Sequence, residues 1–262
     1  MNSKLVYDKV DKFKFLYSNS KVVLPEDIRK SIEENWNNLM ESGKEYTNDE
    51  IFTVSDIMFN DDTLEFIMKK TNFAHYMYTL KNNWEGEYIC RSVAASALMV
   101  TSDDFYVLCK MANYTSLGGK VKFIGGAISE NDVYKDEIIP KKCVEREVLE
   151  EIGLDLNDKE KVNKTEHVYF ITRKNLSFIN TFFKVYLNMS SNELLLLFKE
   201  YDEYLKKNNL ERELHSIVFV KKDKESVLKF LKENNCVEYL EDTFKAELGI
   251  EKPKQFFDEM EK

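Results

Sequence analysis

The stretch REVLEEIGL, residues 146 to 154, places one arginine and three glutamates within six positions and then reaches a glycine. We expect it to end a helix that begins near Pro140, because proline is best tolerated in the first helical turn. Gly153 is a typical residue to terminate such a helix. Three aliphatic residues recur at every fourth position and predict its buried stripe: Val144, Val148 and Ile152.

The glutamates of this stretch are spaced so that their carboxylates share one face of the helix. Glu147, Glu150 and Glu151 stand at positions i, i+3 and i+4. Three carboxylates repel one another unless a cation lies among them, and oxygen ligands of this kind suit Mg²⁺ or Mn²⁺. Arg146 precedes Glu150 by four residues and can pair with it. The alternative is an ordinary solvated acidic face, which is common in helices.

The residues upstream favour the metal site over the solvated face. An apolar strand, VKFI, ends in Gly125 and Gly126, and a loop rich in acids leads to the helix. This order resembles the signature of the Nudix hydrolase family, G-x5-E-x7-R-E-U-x-E-E-x-G-U, in which U is a bulky aliphatic residue. Residues 146–154 match every specified position of its second half.

The first half of the signature departs from this pattern. Counting back from Arg146, the first glutamate should fall at position 138, where the chain has Ile138. An insertion in the loop is the simplest explanation. Among the loop acids we favour Glu137 as the replacement, and three others stay open: Asp136, Asp132 and Glu130.

The resemblance implies metal-dependent cleavage of the pyrophosphate bond in a nucleoside diphosphate linked to a group X. The expected cofactor is Mg²⁺ or Mn²⁺. Four carboxylates are the expected metal ligands: Glu147, Glu150, Glu151 and Glu137. Glu147 is also a candidate general base, and Arg146 is expected to orient a glutamate. We expect Glu150 and Glu151 to face a solvent-filled site.

Further candidates lie outside the acidic helix. Gly125 and Gly126 would allow the backbone to approach phosphates or metal ligands closely, since glycine carries no Cβ. Arg91, before the first strand of the motif region, is a candidate phosphate contact. Nudix enzymes sometimes draw their general base from a distant loop, and Glu213, with Glu211 beside it, precedes a late strand. A solvated surface role is the simpler interpretation of each of these side chains.

Composition limits the class of partner. The 262 residues carry a net charge of −9 and are 43% apolar, which argues against a general nucleic-acid polymer or membrane-surface binder. The longest apolar run, SVAASALMV, is too short to span a bilayer, and no signal peptide is evident. We expect a cytoplasmic protein that acts on a small nucleoside diphosphate derivative. A nucleotide sugar such as UDP-glucose or ADP-ribose is the candidate substrate, and a homodimer is the candidate oligomer.

The order of predicted strands and helices indicates a mixed α/β protein, with a Nudix-type α/β/α sandwich at its centre. We divide the chain into an N-terminal α/β unit at 1–87, a Nudix hydrolase domain at 88–222 and a C-terminal helical extension at 223–262. A competing hypothesis is a non-catalytic Nudix-like protein that senses a nucleotide or nucleotide sugar. The displaced first glutamate favours the sensor, whereas the intact second half of the signature favours the enzyme.

Overall fold

The computed structural model describes residues 4–8, 13–43, 46–60, 63–83, 85–173 and 176–254. The strands in these ranges are β1 (Lys4–Asp8), β2 (Phe13–Lys21), β3 (Glu50–Asn60), β4 (Thr63–Asn72), β5 (Ser92–Val100), β6 (Phe105–Met111), β7 (Val121–Lys122), β8 (Ile124–Ala127), β9 (Val133–Tyr134), β10 (Glu137–Ile138), β11 (Val162–Arg173), β12 (Phe178–Leu187) and β13 (Leu214–Lys221). The helices are α1 (Glu26–Glu41), α2 (Phe73–Lys81), α3 (Pro140–Ile152), α4 (Ser191–Lys207), α5 (Lys224–Glu233) and α6 (Glu238–Glu247). The predicted mixed α/β class is confirmed.

Two sheets organise the strands. The larger has the order β1-β11-β12-β5-β6-β13, with β8 paired to β5 and β7 paired to β6. It is mixed, because β12 runs parallel to β5 whereas β5 and β6 are antiparallel. The smaller sheet has the order β3-β4-β2-β10-β9, with β2 parallel to β4. The smaller sheet contains three strands of the N-terminal unit, β2, β3 and β4, together with β9 and β10 of the motif loop.

Strand β5 lies inside the larger sheet and is covered on both faces. Successive side chains of a strand point to opposite faces, and the apolar residues of β5 divide accordingly between two hydrophobic clusters. One cluster contains Val93, Ala95, Ala97 and Met99, and the other contains Leu98 and Val100. This double burial explains why the strand is apolar almost throughout rather than alternating.

Each face of the larger sheet packs against a different layer. On one face lie α3 and the smaller sheet, and aromatic rings join the two sheets there. Phe66 of the smaller sheet stacks on Phe170 of the larger one with ring centroids 5.6 Å apart. On the other face α6 contributes Phe244, which contacts Tyr106 and Phe123 at centroid distances of 5.0 and 5.2 Å. The sheet is therefore enclosed from both sides, as the predicted sandwich requires.

Helix α3 has the bounds and the buried stripe that its sequence predicts. Pro140 occupies the first turn, and Gly153 terminates the helix with φ of 74°. The Gly153 N–H donates to the Leu149 carbonyl over 2.9 Å. Val144, Val148 and Ile152 are each 0% exposed. The acidic face of the helix is thus set by the burial of the opposite, aliphatic face.

The lengthened loop before α3 is structured rather than open. It begins with a 3-10 turn at Glu130–Asp132 and continues into the hairpin of β9 and β10. Strand β10 pairs with β2, placing Glu137 opposite Leu16 and Ile138 opposite Phe15. Ile138 is fully buried. The insertion therefore extends the smaller sheet, and position 138 holds a core residue.

The predicted division at 1–87, 88–222 and 223–262 stays a prediction, and strand pairing crosses its first boundary twice. Strand β1 joins the larger sheet through β11, and β10 joins the smaller sheet through β2. Helix α6 contributes to the core on the larger sheet. Within the described ranges, no helix is long and apolar enough to cross a membrane.

The buried His75 ties α2 to the start of the motif region. Its Nε2 lies 3.0 Å from the Tyr88 carbonyl and its Nδ1 lies 2.8 Å from the Thr71 hydroxyl. A carbonyl only accepts, so Nε2 carries the proton and the Thr71 hydroxyl donates to Nδ1. Burial lowers the pKa of His75 below 6.5, although the Tyr88 hydrogen bond opposes the shift. The neutral ring is therefore the form that the fold stabilises.

We expect His75 to make the protein less stable in acid. Because its folded-state pKa lies below the unfolded value of 6.5, its contribution is complete above that pH and is lost as pH falls toward the folded pKa. Urea unfolding should show that His75→Gln loses less stability than the wild type between about pH 8 and about pH 5.5. Identical pH dependence in the two proteins would contradict this role.

Candidate active site

The two glycines in the middle of β8 permit close packing that no other residue allows. Gly125 has φ of 140°, and a Cβ there would lie 2.3 Å from the Ala95 carbonyl oxygen of β5. A Cβ on Gly126 would lie 2.5 Å from Oε1 of Glu147. The groups packed against this pair are strand β5 and the Glu147 carboxylate, and the predicted approach to substrate phosphates stays a prediction.

Arg146 is anchored to the loop by Asp132. Its Nε and Nη2 donate to the two carboxylate oxygens of Asp132, each over 3.1 Å. Asp132 is 0% exposed, and one of its oxygens also accepts from the Ser129 N–H over 2.8 Å. Two parallel charge-assisted hydrogen bonds make this pair strong and geometrically specific. Arg146 therefore cannot rotate without breaking a buried ion pair.

Asp132 occupies the place in the signature for which the sequence favoured Glu137. Five residues separate Gly126 from Asp132, which is the spacing between glycine and glutamate in the signature. Thirteen residues then precede Arg146 instead of seven, so the insertion follows Asp132. Counting forward from the glycines, rather than back from Arg146, would have found it. Glu137 lies in β10 of the smaller sheet, and its role as a metal ligand stays a prediction.

The third nitrogen of the Arg146 guanidinium, Nη1, contacts two of the predicted metal ligands. Nη1 donates to Glu147 over 2.7 Å and to Glu150 over 3.0 Å. The Glu150 side chain is 59% exposed, whereas that of Glu147 is 13% exposed. The orienting role predicted for Arg146 agrees with this geometry. One carboxylate consequently faces solvent while the other is enclosed beneath Gly126.

Enclosure gives Glu147 an unusual proton affinity. Burial is the largest cause, and repulsion from Glu151 adds to it, so that the pKa of Glu147 rises to about 7 despite the nearby Arg146. A group with such a pKa can take up and release a proton near neutral pH. This is the behaviour required of the general base that the sequence suggested at this position.

Glu151 does not face an open site, contrary to expectation. Its side chain is 3% exposed. One oxygen accepts from the Lys122 ammonium over 2.9 Å and the other accepts from the Gly125 N–H over 3.0 Å. The helix turns Glu151 toward β7 and β8, where the end of the sheet and a buried lysine satisfy it.

Lys122 is a site residue that sequence reasoning missed. Its side chain is 8% exposed, and its ammonium also donates to the Gly125 carbonyl. Burial opposes the charge, but attraction to Glu151 outweighs it, so the pKa of Lys122 is raised above its usual value. The available signal was a single cationic residue within the apolar run VKFI, because a charge in a buried strand needs a partner.

The carboxylates fit a divalent ion only in part. Among the residues that the structure describes, no group of three or more His, Cys, Asp or Glu side chains is arranged to hold a metal. Glu147 and Glu150 are brought together on one face, and Mg²⁺ is commonly held by one or two carboxylates together with substrate phosphates. Glu151 does not fit this role, because protein donors already bind both of its oxygens.

The remaining predicted residues lie at different distances from this cluster. Glu213 precedes β13. Desolvation is the largest cause of its raised pKa and repulsion from Glu151 is the second, so its carboxylate interacts electrostatically with the cluster. The backbone of Arg91 bonds to Thr53 and Val54 of β3, linking the two sheets. The structure thus gives Arg91 a structural position, and its predicted phosphate contact stays untested.

Comparison with known proteins places the motif region in one family. The family model described as NUDIX domain matches residues 91–235, more than half of the chain. No curated protein matches the chain.

Solved structures resemble the chain only distantly. A Nudix hydrolase from Nitrosomonas europaea is 13% identical, covers 63% of this chain and 93% of its own, and gives a TM-score of 0.35. The NUDIX domain of NrtR from Shewanella oneidensis, solved with ADP ribose, is 9% identical, with coverages of 64% and 92% and a TM-score of 0.36. The MutT protein from Methanosarcina mazei Go1 is 17% identical, with coverages of 59% and 90% and a TM-score of 0.35.

We expect Asp132→Asn to destabilise the protein by about 2 kcal/mol, because it removes the charge that pairs with a largely buried arginine. Glu137→Gln is the matched comparison from the same loop and should change stability by no more than about 0.5 kcal/mol. Urea unfolding of both variants measures the difference. A larger loss of stability in Glu137→Gln than in Asp132→Asn would show that Glu137, and not Asp132, stabilises this loop.

We expect Glu147→Gln to become relatively more stable as pH rises. The wild-type carboxyl has a folded-state pKa raised from 4.5 to about 7, so its favourable contribution is present below 4.5 and is lost as pH rises through 7. Glutamine does not titrate. Between about pH 5 and pH 8, in EDTA, the stability difference should therefore move by about 2 kcal/mol in favour of the variant.

The control for this measurement is Glu145→Gln. Glu145 lies in the same helix and pairs with Lys141 at 3.1 Å, across one turn. Its stability difference from the wild type gives the baseline for removing a carboxylate charge and a surface ion pair from this helix. If Glu147→Gln behaved like Glu145→Gln, Glu147 would not have the raised proton affinity described above.

Proposed function

The chain belongs to the Nudix family, and we propose that it is a metal-dependent hydrolase that cleaves the pyrophosphate bond of a nucleoside diphosphate linked to a second group X. The observation that carries this proposal is the Arg146 clamp, which we define as Arg146 with Asp132 on one side and Glu147 and Glu150 on the other. It brings two carboxylates to one face of α3. This arrangement suits metal and phosphate chemistry more than stability, because like charges are held together.

Charge explains why the site needs a cation. A diphosphate is strongly negative, and the chain itself carries a net charge of −9. Glu147 and Glu150 would hold Mg²⁺ or Mn²⁺ together with the substrate phosphates. When bound, the ion neutralises charge that develops on the phosphate oxygens and acidifies a bound water. The protein residues supply the orientation: Arg146 holds both carboxylates, and Asp132 holds Arg146.

Glu147 is assigned either a ligand role or the role of general base, and in the second case Glu150 holds the ion without it; Glu213 is the second candidate for the base. Glu147 has a pKa of about 7, and a general base works best with a pKa near the operating pH. The pKa of Glu213 is also raised, and its carboxylate lies within the electrostatic influence of Glu150 and Glu151. The two differ in position, since Glu147 lies in α3 beneath Gly126 whereas Glu213 immediately precedes β13.

The substrate is proposed at the level of class. The family chemistry concerns the pyrophosphate, and X is recognised elsewhere in the fold. Nucleotide sugars such as UDP-glucose or ADP-ribose remain our candidates for the substrate. A cytoplasmic location, the absence of a nucleic-acid partner and a homodimeric state remain predictions.

A sensor that binds a nucleotide without cleaving it is the second candidate. One observation favours it: each of the three glutamates on the acidic face already contacts a cationic side chain of the protein. Arg146 contacts Glu147 and Glu150, and Lys122 contacts Glu151. In a binding protein, these cationic side chains can neutralise the carboxylates permanently. In a metal-dependent enzyme, at least two of the glutamates must exchange the protein cation for a metal ion.

An assay of the purified chain with Mg²⁺ or Mn²⁺ tests the proposal directly. We expect metal-dependent release of a nucleoside monophosphate and a phosphorylated X from at least one nucleoside diphosphate derivative, and no release in EDTA. Glu147→Gln and Glu150→Gln should each lower kcat/KM by about 100-fold or more, since each removes a ligand or a base.

The matched control is again Glu145→Gln, which should keep the wild-type rate. Full activity in both Glu147→Gln and Glu150→Gln would overturn the assignment. If no compound is cleaved but one raises the melting temperature, the sensor replaces the enzyme. These outcomes separate the two functions because cleavage requires turnover whereas stabilisation requires only binding.

A further inference from the structure

We infer that Lys122 is a resident cation of this site, and that its ammonium takes the place of a divalent ion between the Glu151 carboxylate and the Gly125 carbonyl. The inference concerns how many metal ions the site holds. It refines the proposed function without depending on turnover, because metal binding can be counted in the absence of substrate.

The first support is the set of atoms that surrounds the ammonium. A carboxylate oxygen of Glu151 and the carbonyl oxygen of Gly125 both accept from Nζ. Carboxylate and backbone carbonyl oxygens are also the ligands that Mg²⁺, Mn²⁺ and Ca²⁺ prefer. The ammonium thus occupies a position whose donor atoms would otherwise suit a divalent ion.

The second support is that the arrangement is closed. The Gly125 N–H donates to the other oxygen of Glu151 over 3.0 Å, so Gly125 is linked to Glu151 both directly and through the Lys122 ammonium. Lys122 and Glu151 have side chains that are 8% and 3% exposed. A metal ion could reach Glu151 only by displacing a buried charge from its partner, which is costly in a medium of low dielectric constant.

The third support is the distribution of charge within the cluster. Glu147 and Glu151 are four positions apart on α3 and repel each other, whereas the Lys122 ammonium lies 2.9 Å from Glu151 and carries the opposite charge. Lys122 therefore offsets a carboxylate that would otherwise add to the repulsion at the Arg146 clamp. Lys122 therefore neutralises Glu151, and the exchangeable metal ion binds at Glu147 and Glu150.

Counting bound Mn²⁺ by electron paramagnetic resonance tests this inference. Lys122→Met should bind roughly one more Mn²⁺ per chain than the wild type, because Glu151 and the Gly125 carbonyl become free to act as ligands. Its melting temperature should also rise more with added Mn²⁺ than that of the wild type. Lys110→Met, at an exposed position of β6, is the matched control and should leave the count unchanged.

A second pair of variants keeps the test decisive if Lys122→Met fails to fold. Glu151→Gln, and the charge-neutral double variant Lys122→Met with Glu151→Gln, should bind as many Mn²⁺ ions as the wild type. Loss of one ion in either variant would show that Glu151 is a metal ligand and would overturn the inference. An unchanged count in folded Lys122→Met would also overturn it, since Lys122 would then be an ordinary core ion pair.

The count separates this inference from the proposed function. A protein that cleaves nothing can still gain an ion in Lys122→Met, in which case only the proposed activity fails. If the protein hydrolyses its substrate but Glu151→Gln binds one ion fewer, the proposed activity stands. Only the inference that Lys122 replaces a metal ion is then overturned.

Discussion

The ion pair between Arg146 and Asp132 is the interaction on which the site depends. Because two hydrogen bonds hold the guanidinium to a fully buried carboxylate, its remaining nitrogen is directed at Glu147 and Glu150. Without this anchor the two glutamates on one helix face would repel each other and separate. The acidic helix is therefore functional only in combination with the loop that precedes it, and the loop acts through one aspartate.

The same anchor explains how the chain accommodates a lengthened loop. The extra residues follow Asp132, so the partner of Arg146 keeps its spacing from Gly126 while the insertion leaves the site. It forms β9 and β10, and β10 adds to the smaller sheet beside β2. Ile138 becomes part of the core there. The inserted residues thus pair the loop with the N-terminal strands, and the Arg146 clamp is unchanged by the insertion.

Two cations of the protein give the acidic site its present charge balance. Arg146 is shared among three carboxylates, whereas Lys122 is committed to Glu151 and the Gly125 backbone. Because Glu150 is exposed to solvent, its contact with Arg146 can break without exposing a buried charge. The contact between Lys122 and Glu151 cannot, because both side chains are buried. A ligand that brings negative charge and a divalent ion would therefore act at Glu147 and Glu150, where solvent can still enter.

The sequence by itself determined the bounds of α3 and its buried stripe, because helical spacing fixes which residues share a face. The same spacing grouped Glu147, Glu150 and Glu151, but in the structure only Glu147 and Glu150 share Arg146. The sequence also determined that β5 is buried, since the strand is apolar almost throughout. Only the tertiary structure showed that Asp132 pairs with Arg146, and that Lys122 and the Gly125 N–H bind Glu151. Both pairs join residues fourteen or more positions apart, and the path of the intervening chain, not local spacing, brings them together.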